Sequence, residues 1–225
     1  MQPYLIEGIV IGGIPFREKD LIVQLFSPKG VLSLFVAGGA KVTKTSIAPS
    51  PLMRIECLLV PSQRGMAKAK EISLIDGYLR LRDTLPRLTC ALEIIQAIKK
   101  TQLEQKPSEQ LYKLTQSFLE ALKTQAPGIL LASFYLKLLR HEGLFALPKM
   151  CTQCHAPLHS LFIFERESYC LTCAPKKALY FSEAERLQLT TLAMTRSLKT
   201  LSLLSVPKTL LEKVQKLFEQ SAFFQ

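Results

Sequence analysis

The chain has 225 residues, of which 48% are hydrophobic, so it is long and apolar enough to fold around a core rather than stay disordered. Its most apolar stretch, GILLASFYLKLL, is interrupted by Lys137 and its start, MQPYLIEG, shows no secretion signal, so we expect a cytoplasmic protein without a membrane span. The formal net charge of +11 is distributed along the whole chain and favours a polyanionic partner.

The N-terminal part of the chain predicts five β-strands of ordinary length, several of them rich in Val and Ile. They cover residues 4–11, 21–27, 31–37, 52–60 and 66–75. A turn sequence, Ser-Pro-Lys-Gly at residues 27–30, predicts a hairpin between the second and third strands. Five short antiparallel strands within about eighty residues are typical of an OB-fold barrel, which we assign to residues 1–80.

From residue 81 onward the apolar residues recur at helical spacing. Three helices are predicted at residues 85–103, 109–123 and 128–143, and Gly143 is expected to end the third. A fourth helix begins at the capping box of residues 182–185, and a fifth begins at Pro207. The predicted fold is therefore α+β and multidomain, with the barrel followed by an all-α domain at residues 81–225.

Two Cys-x-x-Cys pairs lie between the third and fourth helices, within a predicted module at residues 149–176. They are Cys151 with Cys154 and Cys170 with Cys173. Each pair can point two thiolates at one ion from a single turn, and four thiolates complete the tetrahedral shell of zinc. Such a closed shell favours a structural zinc ion, while a redox pair, an empty site and a catalytic zinc remain open as alternatives.

Basic residues in the turns beside the predicted barrel groove are candidates for phosphate contacts, since such grooves combine cations with stacking rings. These candidates are Arg17, Lys19, Lys29, Lys41, Lys44 and Arg54. Phe16 follows Pro15 in a polar turn and is the candidate for base stacking. Phe26 and Phe35 lie within strands, where alternation predicts that they point into the core.

Signs of catalysis are absent from the sequence, which contains no HExxH, GxxxxGK[ST] or GxSxG motif and no cluster of carboxylates typical of a two-metal nuclease. We therefore expect a protein that is not an enzyme. Two alternatives to a DNA-binding protein stay open. One is an RNA- or ribosome-binding OB-fold protein with a structural zinc module, and the other is a metal-dependent nuclease or other hydrolase.

Residues 7–41, EGIVIGGIPFREKDLIVQLFSPKGVLSLFVAGGAK, resemble the N-terminal signature of the RecO DNA-repair family. Further along, SFYLKLLRHEGLFALPKMCTQC and YCLTC resemble the helix, the glycine and the two cysteine pairs of that family, so the resemblance covers nearly the whole chain. It implies an N-terminal OB-fold, a helical C-terminal domain and, in many members, zinc. It also implies binding of single- and double-stranded DNA and annealing of complementary strands, without bond-breaking activity.

Partners are implied by the same resemblance. Together with RecR, family members help RecA replace single-strand-binding protein at gaps, and they dock the acidic, apolar tail of that binding protein. We expect such a tail to require an apolar pocket bordered by cations, which the third helix could supply through Leu136, Lys137 and Arg140. The implied location is the cytoplasm, in association with the nucleoid.

Overall fold

The computed structural model describes residues 2–39, 48–62 and 66–222. The chain consists of two compact units, Met1–Thr124 and Gln125–Gln225. In the described part of the chain, no helix combines the length and the apolar character needed to cross a membrane.

The first unit contains a closed five-stranded barrel. Its strands are β1 (Tyr4–Phe16), β2 (Asp20–Ser27), β3 (Gly30–Val36), β4 (Arg54–Val60) and β5 (Ala67–Asp76). Their order around the barrel is β1-β2-β3-β5-β4, with β4 pairing back onto β1. The predicted five-stranded barrel is thus confirmed, and the predicted hairpin joins Ser27 to Gly30.

One strand pair departs from the expected antiparallel arrangement. β3 and β5 pair in parallel, from Leu34 with Ala67 to Val36 with Ala69. An odd number of strands in a closed ring cannot alternate direction all the way round, so one neighbouring pair must run in parallel. The parallel pair is short, and β3 begins four residues before β5 joins it.

The barrel core comes from the period-two alternation of its strands. Its buried members are Ile6, Val10, Val23, Leu25, Leu34, Val36, Ile55, Cys57, Leu59 and Ala69. Burial raises the pKa of the Cys57 thiol to about 11, as expected for a cysteine that acts as a small apolar residue.

Strand β1 carries a bulge that changes which side chains face outward. Val10 pairs with Leu25 and Gly12 pairs with Gln24, so Ile11 is an extra residue between them. A bulge inserts one residue and shifts the alternation of the following segment. Phe16, which would point inward in a regular strand, is therefore directed to the outer surface of the barrel.

Two helices, α1 (Leu85–Thr101) and α2 (Glu109–Leu122), complete the first unit after a 3-10 turn at Leu79–Arg82. Both helices form close to the predicted positions. Pro86 lies in the first turn of α1, where its missing N–H has no helical partner to lose.

Helix α2 is attached to the barrel by a polar cluster around Glu7 of β1. The Glu7 carboxylate accepts hydrogen bonds from Arg54 Nε at 2.8 Å, from the Tyr112 hydroxyl at 2.7 Å and from Gln116 Nε2 at 3.0 Å. Two of these donors lie on α2, more than one hundred residues after Glu7. These long-range bonds tie the helix to the barrel within one compact unit.

Up to residue 222, the second unit contains four helices and a small sheet. Its elements are β6 (Leu161–Phe164), β7 (Glu167–Tyr169), β8 (Leu179–Phe181), α3 (Pro127–His141), α4 (Glu183–Met194), α5 (Leu198–Ser202) and α6 (Lys208–Ala222). The predicted capping box is present at Ser182 and Glu185. The sheet, in the order β7-β6-β8, and the short helix α5 were not predicted.

Helix α3 is the centre of the second unit and packs against α4 and α6. The Tyr135 ring stacks on Phe218 of α6 with 4.1 Å between centroids, and the Ser133 hydroxyl donates to the Leu192 carbonyl of α4 at 2.7 Å. Gly143 follows α3 with φ +70, the left-handed conformation that commonly ends a helix, as predicted.

Candidate functional site

The four predicted cysteines form one cluster. Their Sγ atoms all lie within 4.8 Å of one another, and the Sγ atoms of Cys154 and Cys170 are 3.7 Å apart. Each pair closes a turn: the His155 amide donates to the Cys151 carbonyl at 3.0 Å, and the Cys173 amide donates to the Cys170 carbonyl at 3.2 Å. Both turns therefore point their thiols toward the same point.

Backbone pairing brings the two turns together. The Thr152 amide donates to the Ser168 carbonyl at 2.9 Å, and the Ser168 amide donates back to the Thr152 hydroxyl at 3.3 Å. Ser168 lies on β7, which leads directly into the second cysteine pair. The small sheet is thus the element that positions Cys170 and Cys173 opposite the first pair.

The local electrostatics favour thiolates at two positions. The backbone N–H of Cys154 lowers the pKa of Cys151 to about 6, and the backbone N–H of Cys173 lowers the pKa of Cys170. The pKa of Cys173 is raised instead, because its thiol hydrogen-bonds to the neighbouring sulfurs of Cys154 and Cys170, which favours the protonated form. A divalent cation bound by all four sulfurs would take the place of these hydrogen bonds and favour the thiolate.

Zinc fits this donor set. A zinc ion with four sulfurs at about 2.3 Å in a tetrahedron places neighbouring sulfurs about 3.8 Å apart, close to the 3.7 Å between Cys154 and Cys170. Four protein thiolates leave no open position for water or substrate. The cluster can therefore hold a metal as a structural crosslink, and it offers no site for metal-based catalysis.

The predicted DNA-binding cations lie in several places. Arg17 and Lys19 are exposed in the β1–β2 turn, and Lys29 is exposed in the β2–β3 turn with its Nζ 3.9 Å from the centroid of the Tyr4 ring. Two further candidates, Lys41 and Lys44, lie outside the described residues. A role in DNA binding stays a prediction for all of them.

Arg54 is engaged within the protein. Its Nε lies 2.8 Å from Glu7 Oε1, and the two side chains are only 27% and 35% exposed. The hydrogen bond to Arg54 is the largest effect on Glu7 and holds the pKa of that carboxyl below its usual range, while the same bond raises the pKa of Arg54. This guanidinium therefore has a structural role, and its predicted contact with DNA stays a prediction.

Phe16 lies at the edge of an apolar surface on the outside of the barrel, where its side chain is 39% exposed. Its ring meets the Phe35 ring edge-on, with 5.9 Å between centroids, and the guanidinium carbon of Arg17 lies 5.3 Å from the Phe16 centroid. Ile14 and Ile22 pair across β1 and β2 beside these rings, and Ile14 is 61% exposed. We call these four apolar residues, Ile14, Phe16, Ile22 and Phe35, the outer aromatic surface.

The predicted orientation of Phe35 is wrong. Leu34 and Val36 point into the barrel, so the intervening Phe35 points outward and is half-buried. Phe26 is fully buried, as predicted, but against α2 outside the barrel, where its ring meets Tyr112 with 5.8 Å between centroids. Alternation misleads here because β2 and β3 carry apolar residues on both faces.

Two lysines that the sequence reasoning missed border the outer aromatic surface. Lys68 pairs with Phe35 across β3 and β5 and is exposed. Lys99 of α1 reaches back to β1, where its Nζ lies 3.3 Å from the position a Cβ would take on Gly12. The alternating Lys-Ala-Lys of β5 could have indicated Lys68, whereas nothing local in the sequence places Lys99 near β1.

The residues predicted to form a partner-tail pocket are placed within the second unit. Leu136 is fully buried. The Lys137 Nζ donates to the carbonyls of Ala193 and Thr195 at 3.2 and 2.8 Å, and Arg140 Nη1 donates to the Ala193 carbonyl at 3.1 Å. Burial lowers the pKa of Lys137. Both cations thus bind the last carbonyls of α4, and a tail pocket at this position stays a prediction.

Comparison with known proteins gives one consistent family. Residues 1–78 match the model of the family described as Recombination protein O N terminal, and residues 82–220 match that of Recombination protein O C terminal. A DNA repair protein RecO from Chlamydia trachomatis serovar D is 34% identical over 187 residues, which cover 79% of this chain and 75% of that relative. The protein of the same name from Chlamydia muridarum is 30% identical over 221 residues, covering 95% and 94%. Another from Myxococcus xanthus is 27% identical over 158 residues, covering 68% and 64%.

Proposed function

Because the chain belongs to the RecO family of DNA repair proteins, we propose that it binds single- and double-stranded DNA and anneals complementary strands during recombinational repair. The observation that carries this proposal is the outer aromatic surface, which combines the exposed Phe16 ring and the half-buried Phe35 ring with cations on the outside of an OB-like barrel. OB-folds bind oligonucleotides through the same region, formed by strands 2 and 3 and the adjoining loops.

Two kinds of interaction would bind a single strand at this surface, namely base stacking and phosphate neutralisation. Phe16 and Phe35 are aromatic rings, on whose π-faces unpaired bases can stack without regard to sequence. Arg17 lies beside Phe16, Lys68 pairs with Phe35, and Lys19 is exposed in the adjoining β1–β2 turn. These cations would neutralise phosphates and release condensed counterions. Stacking would shield the bases from water. The cations would contribute an electrostatic part of the affinity, which falls as the salt concentration rises.

Annealing requires two polyanions to approach each other. A protein with a net charge of +11 screens the repulsion between two strands, and the distribution of its basic residues along the chain allows more than one face to take part. No covalent bond changes in this process, so the proposed function needs no catalytic residue, and we propose that the protein is not an enzyme.

The remaining family roles are part of the same proposal. The protein would act in the cytoplasm at the nucleoid, cooperate with RecR, help RecA replace single-strand-binding protein at gaps and dock the tail of that binding protein. Zinc would be held by Cys151, Cys154, Cys170 and Cys173. It would supply a crosslink between two turns rather than a reactive centre.

Strand annealing tests the proposal directly. Complementary single strands coated with single-strand-binding protein are mixed with this protein over a salt series, with labelled DNA and Mg²⁺ present to reveal any cleavage. We expect faster annealing at low salt and intact DNA. The variant Arg17→Ala/Lys19→Ala should anneal more slowly than Lys208→Ala/Lys216→Ala, which removes the same charge from exposed positions of the second unit.

Three results would count against it. No acceleration beyond that of an unrelated protein of similar net charge would reduce the proposal to family membership alone. Tighter binding to structured RNA than to single-stranded DNA would favour the RNA-binding alternative. Cleavage of the labelled DNA would favour the nuclease alternative.

A further inference from the structure

The first unit contains an open pocket of about 680 Å³ at one end of the barrel, distinct from the outer aromatic surface. It lies where β3 and β5 diverge, because β5 joins β3 only from Leu34 onward and leaves Leu32 and Ser33 without a β5 partner. Apolar side chains form its inner wall. They are Leu32, Leu34, Leu59, Met66 and Ala67.

The mouth of the pocket is polar and carries both charges. Lys29 lines the pocket with its Nζ over the Tyr4 ring, and Glu104 and Gln105, from the segment that follows α1, also line it. The Glu104 carboxylate accepts a hydrogen bond from the Ser33 hydroxyl. A carboxylate has about four lone-pair sites, so Glu104 can accept further bonds while it holds Ser33.

This mouth is fixed before any ligand arrives. The Gln105 amide donates to the Val31 carbonyl at 2.9 Å, and the Ser108 amide donates to the Pro28 carbonyl at 3.1 Å. Gly30 adopts φ +92, and a Cβ at that position would lie 2.2 Å from a backbone carbonyl oxygen of the segment after α1. The hairpin and that segment are therefore in direct backbone contact, which fixes the backbone of Lys29 and Glu104 beside the pocket.

We propose that this pocket receives one unstacked nucleobase of a bound single strand and prefers bases that carry an exocyclic amino group. The inference rests on the proposed DNA binding and deepens it. An apolar wall suits the ring, the Glu104 carboxylate accepts from the amino group of cytosine, adenine or guanine, and Lys29 neutralises the adjoining phosphate. Thymine offers no amino group to Glu104.

The pocket lies close to the outer aromatic surface along the chain of β3. Ser33 and Phe35 lie on the same face of β3, two residues apart, which corresponds to about 7 Å along the strand. A single strand whose bases contact Phe16 and Phe35 therefore reaches the mouth of the pocket within one or two nucleotides. The same strand β3 would carry a stacking site that tolerates any base and a pocket that distinguishes among them.

Binding of homopolymers tests the preference. Dissociation constants are measured for oligo-dC and oligo-dT of about fifteen nucleotides, enough to cover one OB-fold. In Glu104→Ala we expect the preference for oligo-dC relative to oligo-dT to fall by about fivefold, the effect of one hydrogen bond at an exposed site. Glu109→Ala is the matched control, because Glu109 is an exposed carboxylate of the same unit that does not line the pocket. It should leave the ratio unchanged.

A second measurement uses the wild-type protein, so it does not depend on how Glu104→Ala affects the segment after α1. In protein labelled with ¹³C at its methionine methyl groups, the Met66 resonance should shift when dCMP or oligo-dC is added and should stay in place with base-free deoxyribose 5-phosphate. An unchanged ratio in Glu104→Ala, or a Met66 signal that stays in place while oligo-dC is bound, would overturn the pocket and leave DNA binding intact. A wild-type protein that binds no oligonucleotide at all would overturn the proposed function, and the dCMP titration would still test the pocket.

Discussion

Replacing Phe16 by alanine should weaken binding of single-stranded DNA without changing its dependence on salt. Phe16 is 39% exposed and lies beside the Arg17 guanidinium but carries no charge, so the substitution removes a stacking surface and no phosphate contact. Stacking of a base on an aromatic side chain contributes about 1–3 kcal/mol, and a value of about 1.4 kcal/mol, in the lower half of that range, corresponds to a tenfold loss of affinity. The edge-on contact with Phe35 is lost as well, at a cost in stability of about 0.5–1.5 kcal/mol.

Fluorescence anisotropy with a labelled oligo-dT over a salt series measures both quantities. The plot of log affinity against log salt should keep its slope in Phe16→Ala and shift down by about one log unit. In Arg17→Ala the slope itself should become shallower by about 0.7, the value for one phosphate contact with a single strand. Leu79→Ala, which removes a side chain 73% exposed on the 3-10 turn, should change neither quantity.

Two results would refute this reasoning. An unchanged affinity in Phe16→Ala would mean that no base stacks on the outer aromatic surface. A slope that falls as much in Phe16→Ala as in Arg17→Ala would mean that the substitution displaces the neighbouring cations, and the loss could not be assigned to stacking.

Three further predictions concern metal content, backbone conformation and pH. Cys151→Ser removes one of four thiolates and should lower both the zinc bound per chain and the melting temperature of the second unit, measured by metal analysis and calorimetry. Gly30→Ala should cost at least about 3 kcal/mol in urea unfolding, because positive φ and a backbone clash add together, whereas Gly38→Ala should cost only about 1 kcal/mol because its φ of +65 is not accompanied by a clash. The pKa of Glu7 is lowered by Arg54, so Glu7 stabilises the fold above its unfolded pKa, and this contribution disappears as the pH falls through the folded value. Glu7→Gln should therefore lose less stability than the wild type on acidification.

A specific result would contradict each of these three predictions. A Cys151→Ser protein that keeps one zinc per chain and its full melting temperature would contradict the four-thiolate crosslink. Equal costs for Gly30→Ala and Gly38→Ala would show that the hairpin and the segment after α1 can separate freely. Parallel acid denaturation curves for Glu7→Gln and the wild type would exclude the Glu7–Arg54 pair as a source of pH dependence.

The sequence predicts those features that depend on local periodicity or spacing. The five strands and the long helices follow from apolar residues at intervals of two and of three to four, and the cysteine cluster follows from its two-residue spacers. The three strands of the second unit contain only three or four residues each, too few for alternation to be recognised. Their role in positioning the second cysteine pair could not have been read from the sequence.

Features that depend on distant contacts were also beyond the sequence. The hydrogen bonds from α2 to Glu7 span more than one hundred residues, and the approach of Lys99 to Gly12 depends on how α1 crosses the barrel. The outward orientation of Phe35 depends on which of the two apolar faces of β3 lies inside the barrel. The closure of the five-stranded barrel, which involves distant strands, determines that face.

The bulge at Ile11 limits which mutations this protein can accept during evolution. Beyond it, Gly13 faces Val23 on the inner side and Phe16 lies outside, so a deletion of one residue at the bulge would exchange the two sets along the rest of β1. A point substitution at Phe16 alters only the contacts of that side chain with Phe35 and Arg17, but a change of length at Ile11 reverses which side chains face inward and outward along the whole end of the strand. Related chains should therefore show many substitutions near the β1–β2 turn but very few insertions or deletions between Val10 and Gly12.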